Sequence, residues 1–438
     1  MLTLRGARRI LVDRQTEREG DLVLDGGVVS ASAPAEAMGE QLDVSGCVVT
    51  PGLINAHHHL LQTGFRTLPA TRGVPMRDWL PAMAAAYADA GIDASLTGAT
   101  AAAGIAESLL SGVTTVADHQ LNWPDPARSP HPVDDTVAIA RSVADAAAEL
   151  GARLVFVRGS ARDAPEAAEA SARAIAAHFL TPDAGGVRAD GMLQLAVGPA
   201  GVHSDGEETF RALGAVAREY GLRRRTQANE QVDTQIALER YGRRPLDLLE
   251  EWGWVAPDVT IAHLCDVTDA EIDRLAAAGV TATHAPGCDV PMGWGIAPVA
   301  RMRDAGIRVG LGTSGGGSND AGHLLADARL ALQVSALVGP QLDARDVLEM
   351  ATAGSAAGLG RPELGHLRPG AAADVCVWDV DTVADAGVAD PVAGLLWTAP
   401  GRRPRHVIVA GRVVVRDYRL VQGDEREIVE RLRTRVGR

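Results

Sequence analysis

The middle of the chain, from about residue 51 to residue 360, alternates short apolar runs with longer alanine-rich stretches of helical spacing. The runs have the length of buried strands, and segments 96–110, 136–150 and 269–278 are typical of amphipathic helices. Eight runs are present: 53–56, 113–117, 154–157, 193–197, the stretch before Gln227, 259–262, 279–283 and 307–311. A doubly wound sheet also alternates in this way. The count of eight, with polar residues just past the runs, favours an α/β fold of the (β/α)₈ TIM-barrel type.

Both ends of the chain lack this alternation and are predicted to form short strands. Near the N-terminus, segments 2–4, 21–24 and 28–32 are β-compatible, and Asp25-Gly26-Gly27 predicts a tight hairpin turn. Near the C-terminus, segments 374–378, 406–410 and 412–415 are also β-compatible, with Gly411 at a turn. We therefore expect residues 1–50 and 361–438 to form one small β-sandwich domain, with the catalytic barrel over 51–360.

The charge balance limits the partners that the protein can have. Its 438 residues include 42 basic and 56 acidic side chains, which gives a net charge of −14. An acidic protein is a poor match for nucleic acid or an anionic membrane, so a small-molecule substrate is expected. The N-terminus lacks the apolar core of a signal peptide, and no apolar run reaches about 18 residues. These features predict a cytoplasmic protein.

All basic residues are arginine, because the chain contains no lysine. A Schiff-base lysine, the lysine of a Walker loop and a carboxylated lysine that bridges two metal ions are therefore excluded. The run Arg223-Arg224-Arg225 is interpreted as solvated charge at the start of a strand. The four cysteines lie far apart without a CxxC pair, so neither a disulfide framework nor a zinc ribbon is indicated.

Histidines follow the predicted strands at the ends where barrel chemistry is found. His57 and His59 come after the first run with a spacing that places both imidazoles on one side of an extended segment, as metal chelation requires. The other histidines at predicted strand ends are His119, His203, His263 and His284. Six of the twelve histidines at such ends favour a metal or catalytic site over structural packing.

Four motifs together resemble the amidohydrolase superfamily. They are PGLINAHHH at 51–59, SGVTTVAD at 111–118, Ala262-His263 and GLGTSGGGSND at 310–320. The closest resemblance is to the branch of triazine hydrolases, 8-oxoguanine deaminase and related aminohydrolases of nitrogen heterocycles. Met292-Gly293-Trp294-Gly295 and Asp78-Trp79-Leu80 are similar to the triazine hydrolase subset. The resemblance covers nearly the whole chain, and it implies homodimers or larger assemblies.

The resemblance implies one zinc or iron ion per chain. In the family the ion is held by the HxH pair, by histidines after strands five and six, and by an aspartate after strand eight. A glutamate three residues past the strand-five histidine shuttles protons. His57, His59, His263 and Glu230 match this pattern. Two positions depart from it, since Gln227 replaces the strand-five histidine and Ser314 replaces the strand-eight aspartate.

The two departures weaken the implied metal site. Glutamine is a neutral oxygen ligand and a poor replacement for imidazole on zinc, and serine is neither a strong ligand nor a base near pH 7. Three histidines still suffice for a catalytic zinc ion with an open position. Without the aspartate, Glu230 is the first candidate for proton acceptor, followed by His203 and His284. Ser314 alone does not abolish hydrolysis, because the triazine hydrolase branch also carries a hydroxyl residue there.

Planar and amide side chains are expected to bind substrate on loops over the barrel mouth, where they suit a flat, nitrogen-rich molecule. The predicted substrate-binding residues are Gln62, Trp79, His119, Gln227, Asn229 and Trp294. The run Gly315-Gly316-Gly317 lacks the following lysine of a phosphate-binding loop, so flexibility is the better explanation for it.

Three functions remain open from the sequence. The first is a metal-dependent hydrolase that deaminates or otherwise cleaves a C–N or C–X bond of a heterocyclic or amidine-like substrate, with Glu230 as proton shuttle. The second is a metal-free or remodelled enzyme of the same fold that performs a cyclisation, a dehydration or an addition–elimination. The third is a ligand-binding protein that has kept the fold without catalysis.

Overall fold

The computed structural model of the protein describes residues 1–31, 39–125, 127, 129–181 and 184–437. Ser32, at the end of the predicted strand 28–32, lies outside the described residues. The described chain contains two large sheets, one built from both chain ends and one from the middle. Within these ranges, no helix combines the length and apolar character that a membrane crossing requires.

The first sheet begins with five strands. They are β1 (Leu2–Asp13), β2 (Thr16–Asp25), β3 (Val28–Val29), β4 (Glu40–Asp43) and β5 (Cys47–Pro51). β2 and β3 are antiparallel and joined at Gly26 and Gly27, whose φ angles are 57° and 85°. Two consecutive positive φ angles suit glycine, and they give the turn the twist that a two-residue hairpin requires. The predicted hairpin is confirmed.

The second sheet is the barrel. Its strands are β6 (Leu53–His59), β7 (Val113–Gln120), β8 (Arg153–Ser160), β9 (Leu193–Pro199), β10 (Arg223–Ala228), β11 (Val259–His263), β12 (Thr281–His284), β13 (Val309–Leu311) and β14 (Ser314–Gly315). Neighbours are parallel and follow chain order from β6 to β13. β14 pairs with β6 through Ser314 and His58 and closes the ring. The eighth strand is therefore split into β13 and β14, and the predicted barrel is confirmed.

Helices cover the outside of the barrel. They are α1 (Met76–Ala90), α2 (Ala94–Leu110), α3 (Pro132–Leu150), α4 (Pro165–Phe179), α5 (Glu207–Tyr220), α6 (Val232–Tyr241), α7 (Pro245–Glu251), α8 (Asp269–Ala277), α9 (Pro286–Asp289), α10 (Val299–Asp304), α11 (Leu324–Val334), α12 (Ala344–Glu349) and α13 (Ser355–Leu359). The three predicted helices coincide with α2, α3 and α8. A capping box of Thr268 and Glu271 fixes the start of α8.

The C-terminal part of the chain completes the first sheet. Its elements are β15 (Val375–Asp379), α14 (Pro391–Trp397), β16 (His406–Val409), β17 (Arg412–Arg416), β18 (Arg419–Leu420) and α15 (Glu425–Val436). β15 pairs antiparallel with β5, for example at Val377 and Val49, so the two chain ends share one sheet. This pairing confirms the expected small β domain, while its boundaries at residues 50 and 361 stay a prediction.

Arg153 at the start of β8 joins the barrel to the small β domain. Its guanidinium donates from Nε to Asp374 Oδ2 over 2.7 Å and from Nη2 to Oδ1 over 3.0 Å, and the two side chains are 6% and 4% exposed. Asp374 Oδ1 also accepts from the backbone N–H of Ala410 at 2.8 Å. The pair is therefore buried, bidentate and connected to both sheets.

We expect Arg153→Met to lower the free energy of unfolding by about 3–5 kcal/mol, because it leaves a buried carboxylate without its cation. Chemical denaturation followed by circular dichroism measures this loss. The double variant Arg153→Met, Asp374→Leu removes both charges and should recover much of the stability. A double variant as unstable as the single one would contradict the charge-based explanation.

The arginine run at 223–225 differs from its interpretation as solvated charge. It does open strand β10, but only Arg223 is even partly exposed. Arg224 is buried against Asp258, at 2.7 Å from Nε to Oδ2. Arg225 is buried inside the barrel and donates to the carbonyl oxygens of Ala56 and Gly358. Arg225 occupies an inward-facing strand position, while Arg224 lies on the opposite face against Asp258 and the Trp254 ring. Charge patterning alone does not reveal either position.

Candidate active site

A cavity of about 280 Å³ lies over the C-terminal ends of the barrel strands. This is the end at which enzymes of this fold perform chemistry. The predicted site residues that line the cavity are His59, Gln62, Trp79, His203, Gln227, Glu230, Trp294 and Ser314. The structure thus gathers side chains from separate strands and from α1 around one cavity.

A cluster of histidine rings lies at the base of the cavity. The ring of His57 is 4.8 Å from that of His59 and 5.3 Å from that of His263, measured between centroids. All three side chains are buried. His57 Nε2 has no hydrogen-bond partner among the described residues. A buried imidazole nitrogen without a partner is unusual, so this cluster calls for a proton, a water or a metal ion.

Hydrogen bonds fix the orientation of two rings in the cluster. His59 Nδ1 lies 2.7 Å from the carbonyl oxygen of His119, and His263 Nδ1 lies 2.6 Å from Asp289 Oδ1. A carbonyl oxygen can only accept, so His59 carries its proton on Nδ1 and presents a lone pair at Nε2. In the same way, the Asp289 carboxylate places the proton of neutral His263 on Nδ1 and leaves a lone pair at Nε2. Such orienting partners behind imidazole are typical of metal-binding histidines.

The charge state of the histidines differs across the cluster. Burial holds the pKa of His57 well below its usual 6.5 and lowers the pKa of His59 to about 4, and neighbouring histidines add to both effects. Burial also acts to lower the pKa of His263, but the Asp289 carboxylate, followed by Glu230, raises it above the usual value. At neutral pH, His57 and His59 are therefore neutral nitrogen donors.

Glu230 is held at the cavity by a carboxylate-capped turn. Asp233 Oδ1 accepts from the N–H groups of Glu230 and Thr234 at 2.5 and 2.9 Å, and Oδ2 accepts from Asn229 N–H at 2.8 Å. Asn229 and Gln231 have φ angles of 56° and 67°, so the turn is tight. These contacts hold Glu230 so that its side chain lies beside His263, at the end of β11.

The Glu230 carboxyl is suited to proton transfer. It is 1% exposed, its Oε1 is 3.7 Å from His263 Nε2, and its Oε2 has no partner among the described residues. Burial raises the pKa of Glu230 to about 8, against the opposing effect of His263, while Asp233 and Asp289 add to the rise. A carboxyl whose pKa lies near neutrality can take up and release a proton in turn.

Gln227 and Ser314, the two positions predicted to depart from the pattern of the resembled family, both lie at the cavity. Gln227 ends β10 and places its Oε1 3.0 Å from His263 Nε2, while its Nε2 donates to the carbonyl of Ala200 at 3.1 Å. Ser314 begins β14 with a φ of 54°, and its carbonyl oxygen is 2.5 Å from His58 Nδ1. The serine backbone thus ties the eighth strand to the first.

The predicted substrate-binding aromatic residues line one side of the cavity. Trp79 was expected on a loop but lies on helix α1, and its Nε1 donates to the carbonyl of Gly317 at 3.0 Å. The Trp294 ring is 5.0 Å from the His263 ring in an edge-to-face arrangement, and its buried Nε1 has no partner among the described residues. Trp294 therefore retains a free donor beside the histidine cluster.

Besides His57 and His263, three of the predicted site residues do not line the cavity. His119 lies on strand β7 and not on a loop, and its Nε2 donates to the carbonyl of Gly198 at 2.8 Å. The Asn229 amide donates to the carbonyl of Asp266 at 3.0 Å, so it faces the turn after β11. His284 borders a separate small cavity, with Nδ1 3.7 Å from Asp289 Oδ2. Each side chain supports the site from behind.

The glycine run at 315–317 is packed, contrary to the expectation of flexibility. A Cβ at Gly316 would lie 2.7 Å from the backbone oxygen of Gln62, and one at Gly317 would lie 2.6 Å from Met83 Cε. Gln62 Oε1 accepts from Gly317 N–H at 3.0 Å, which places this amide at the cavity. The close approach of the Gln62 turn and α1 explains why these positions are glycine.

Residues outside the sequence prediction complete the site. Asp289 orients His263, and it forms with His263 and Cys288 a buried group whose ligand atoms lie within 4.8 Å of one another. Asp233 holds Glu230. The cavity wall also contains apolar side chains, namely Met76, Leu80, Met83 and Met292. No sequence signal marked Asp289, because it lies 26 residues beyond its partner on the short helix α9.

Comparisons with known proteins agree with this site. The family model described as "Amidohydrolase family" matches residues 48–414. 8-Oxoguanine deaminase from Pseudomonas aeruginosa is 33% identical, with 92% of this chain and 90% of that protein covered. 5-Methylthioadenosine/S-adenosylhomocysteine deaminase from Halobacterium salinarum is 32% identical, with 96% and 94% covered.

A solved structure resembles the chain over its whole length. Atrazine chlorohydrolase TrzN from Arthrobacter aurescens TC1, complexed with zinc, superimposes with a TM-score of 0.91 at 33% identity, covering 100% of both chains. The chain belongs to the amidohydrolase family. This membership confirms the resemblance drawn from the sequence motifs and the prediction of an enzyme of the aminohydrolase type.

Proposed function

We propose that the protein is a mononuclear metal-dependent hydrolase that cleaves a C–N or C–X bond of a planar, nitrogen-rich heterocycle. The observation that carries this proposal is the convergence of His57, His59 and His263 beside the buried carboxyl of Glu230. Relatives named for the deamination of purine-type rings and for chlorohydrolysis of a triazine support the substrate class.

The histidine cluster fits a divalent ion. Hydrogen bonds commit the Nδ1 atoms of His59 and His263, and His57 Nε2 is buried without a partner. His57, His59 and His263 would hold zinc or iron, and three protein ligands leave room for water and substrate. When bound, the ion lowers the pKa of water and polarises the substrate. The absence of lysine excludes a pair of ions bridged by a carboxylated lysine, which agrees with a single ion in this proposal.

Glu230 moves the protons of the reaction in this proposal. Hydrolytic deamination adds water to a ring carbon and releases ammonia, so one proton must travel from the water to a ring nitrogen or the leaving group. Glu230 lies 3.7 Å from His263 Nε2, faces the cavity and has a free Oε2. The half-buried His203 at the cavity wall is the second candidate for proton transfer, and Ser314 is also part of the cavity lining.

The cavity wall favours a flat and largely uncharged substrate. Trp79, Met83 and Met292 supply apolar surface, while Gln62 and Gln227 supply amide groups. The cavity of about 280 Å³ is sufficient for a one- or two-ring heterocycle. Incubation with 8-oxoguanine, isoxanthopterin, 5-methylthioadenosine and atrazine, with assays for ammonia and chloride, tests the substrate class. If the zinc-loaded protein releases neither ammonia nor chloride from any of these four compounds, the proposed substrate class is contradicted.

Asp289 should control how tightly the site binds its ion. We expect Asp289→Asn to lower zinc affinity by about 10–100-fold, because a neutral amide accepts a weaker hydrogen bond from His263 Nδ1 and no longer raises the basicity of the ring as the carboxylate does. Competition between the protein and a colorimetric chelator measures this affinity. Asp304→Asn, at the end of α10, is the matched control and should leave the affinity unchanged. Equal affinities for the Asp289 variant and the wild type would exclude this orienting role.

A further inference from the structure

Gln227 stands where the family pattern has a histidine, and its amide is locked in one orientation. Nε2 of Gln227 donates to the carbonyl of Ala200 at 3.1 Å. A carbonyl oxygen cannot accept from the amide oxygen, so the two ends of this amide cannot be exchanged. Oε1 therefore faces His263 Nε2 at 3.0 Å. The residue is buried, with 8% of its surface exposed at the cavity.

The contact between Gln227 and His263 brings two acceptors together. Asp289 Oδ1 lies 2.6 Å from His263 Nδ1 and draws the imidazole proton to that side. The lone pair of His263 Nε2 then points at the lone pairs of Gln227 Oε1. Two acceptors at this distance are stable only with a cation between them, either a proton or a metal ion. His57, with its unpartnered Nε2, is 5.3 Å from His263 between ring centroids.

We infer that the amide oxygen of Gln227 is the fourth protein ligand of the metal ion, in addition to His57, His59 and His263. This inference rests on the proposed metal-dependent function. It changes the expected role of Gln227, since its amide oxygen faces the ion and one of its two amide N–H donors is already committed to Ala200. The ligand set becomes three nitrogens and one neutral oxygen, in place of the four nitrogens and one carboxylate of the family pattern.

The substitution of oxygen for nitrogen alters the preference of the site for metals. A neutral carbonyl-type oxygen is a harder ligand than imidazole and suits manganese better than zinc. The site should therefore bind zinc more weakly, and discriminate less strongly against Mn²⁺, than a site with histidine at this position. Gln227→His should restore the nitrogen and shift the preference towards zinc.

Metal affinity, measured apart from catalysis, tests the inference. Metal-free wild type, Gln227→Leu and Gln227→His are titrated with Zn²⁺ and Mn²⁺ against a fluorescent chelator, and the Co²⁺ forms are compared by visible absorption. Gln227→Leu is expected to bind Zn²⁺ about 10-fold or more weakly, and Gln227→His to raise the Zn²⁺/Mn²⁺ affinity ratio about 10-fold or more. The ligand-field bands of Co²⁺ should shift in both variants.

Matched controls and outcomes separate this inference from the proposed function. Gln235→Leu and Gln235→His change an exposed glutamine on α6 and should behave as wild type. Gln227→Leu with wild-type Zn²⁺ affinity and an unchanged Co²⁺ spectrum would overturn the inference alone. If Gln227→Leu does not fold, the Gln227→Glu variant provides the test. A charged oxygen ligand should tighten Zn²⁺ binding, and an unchanged Zn²⁺ affinity would overturn the inference. A wild type that binds no Zn²⁺ would overturn the proposed function as well.

Discussion

Glu230→Gln should lower kcat by about 10²–10⁴-fold, the usual range for the loss of a general acid–base residue. Glutamine fills the same buried space and keeps the N–H contacts of the turn to Asp233, but it cannot take up a proton. Steady-state kinetics on the best heterocyclic substrate gives kcat and KM separately. We expect KM to change little, because the lost interaction operates in the proton-transfer step.

The Glu230 prediction requires that the variant still hold its ion. Inductively coupled plasma mass spectrometry should find the same metal content in Glu230→Gln and in the wild type. Glu208→Gln alters an exposed glutamate on α5 and is the control for a general effect of charge removal. A Glu230→Gln enzyme with normal kcat would remove Glu230 from the mechanism and leave His203 as the acid–base candidate.

Removal of the metal should abolish turnover. Dialysis against a strong chelator is expected to lower kcat/KM by about 10³-fold or more, because activation of water and polarisation of the substrate contribute several kcal/mol. Addition of one equivalent of Zn²⁺, Fe²⁺ or Mn²⁺ to the dialysed protein should restore activity. The assay is the same as for Glu230→Gln, with metal content measured at each stage.

His57→Asn provides the corresponding genetic test of the metal site. It removes a nitrogen that is buried and unpartnered at the base of the cavity, so metal content and activity should fall together. His131→Asn changes an exposed histidine before α3 and should leave both unchanged. Full activity after the metal has been removed by the chelator would instead favour the metal-free alternative, in which a proton lies between His263 and Gln227. Binding without turnover in every form would favour the non-catalytic alternative.

The sequence predicted the parts of the site that depend on strand ends. Apolar runs locate barrel strands, and in a parallel barrel all the carboxyl ends meet at one face, so His57, His59, His263 and Glu230 could be expected to converge. The structure brings the three histidine rings and the glutamate together beside one cavity. The assignment of their roles stays a prediction until metal content and kinetics are measured.

The orienting contacts could not be predicted, because they depend on how connecting segments fold back. Asp289 reaches His263 from the turn after β12, and no periodicity links the two positions. Asp233 and Asn229 act within a turn whose positive φ angles are unusual outside glycine, so propensity does not reveal it. The burial of Arg225 could not be predicted from charge patterning for a similar reason. Its inward position in β10 outweighs the usual preference of arginine for solvent.

Two kinds of residue around the cavity differ in how they would respond to redesign. Gly316 packs against the backbone of the Gln62 turn, where a Cβ would lie 2.7 Å from a carbonyl oxygen. The cavity lining itself includes unbranched side chains, such as Met76 and Met292, which can change volume without moving the chain. A mutant library intended to widen the range of rings that the enzyme accepts should therefore vary these methionines and keep Gly316 fixed.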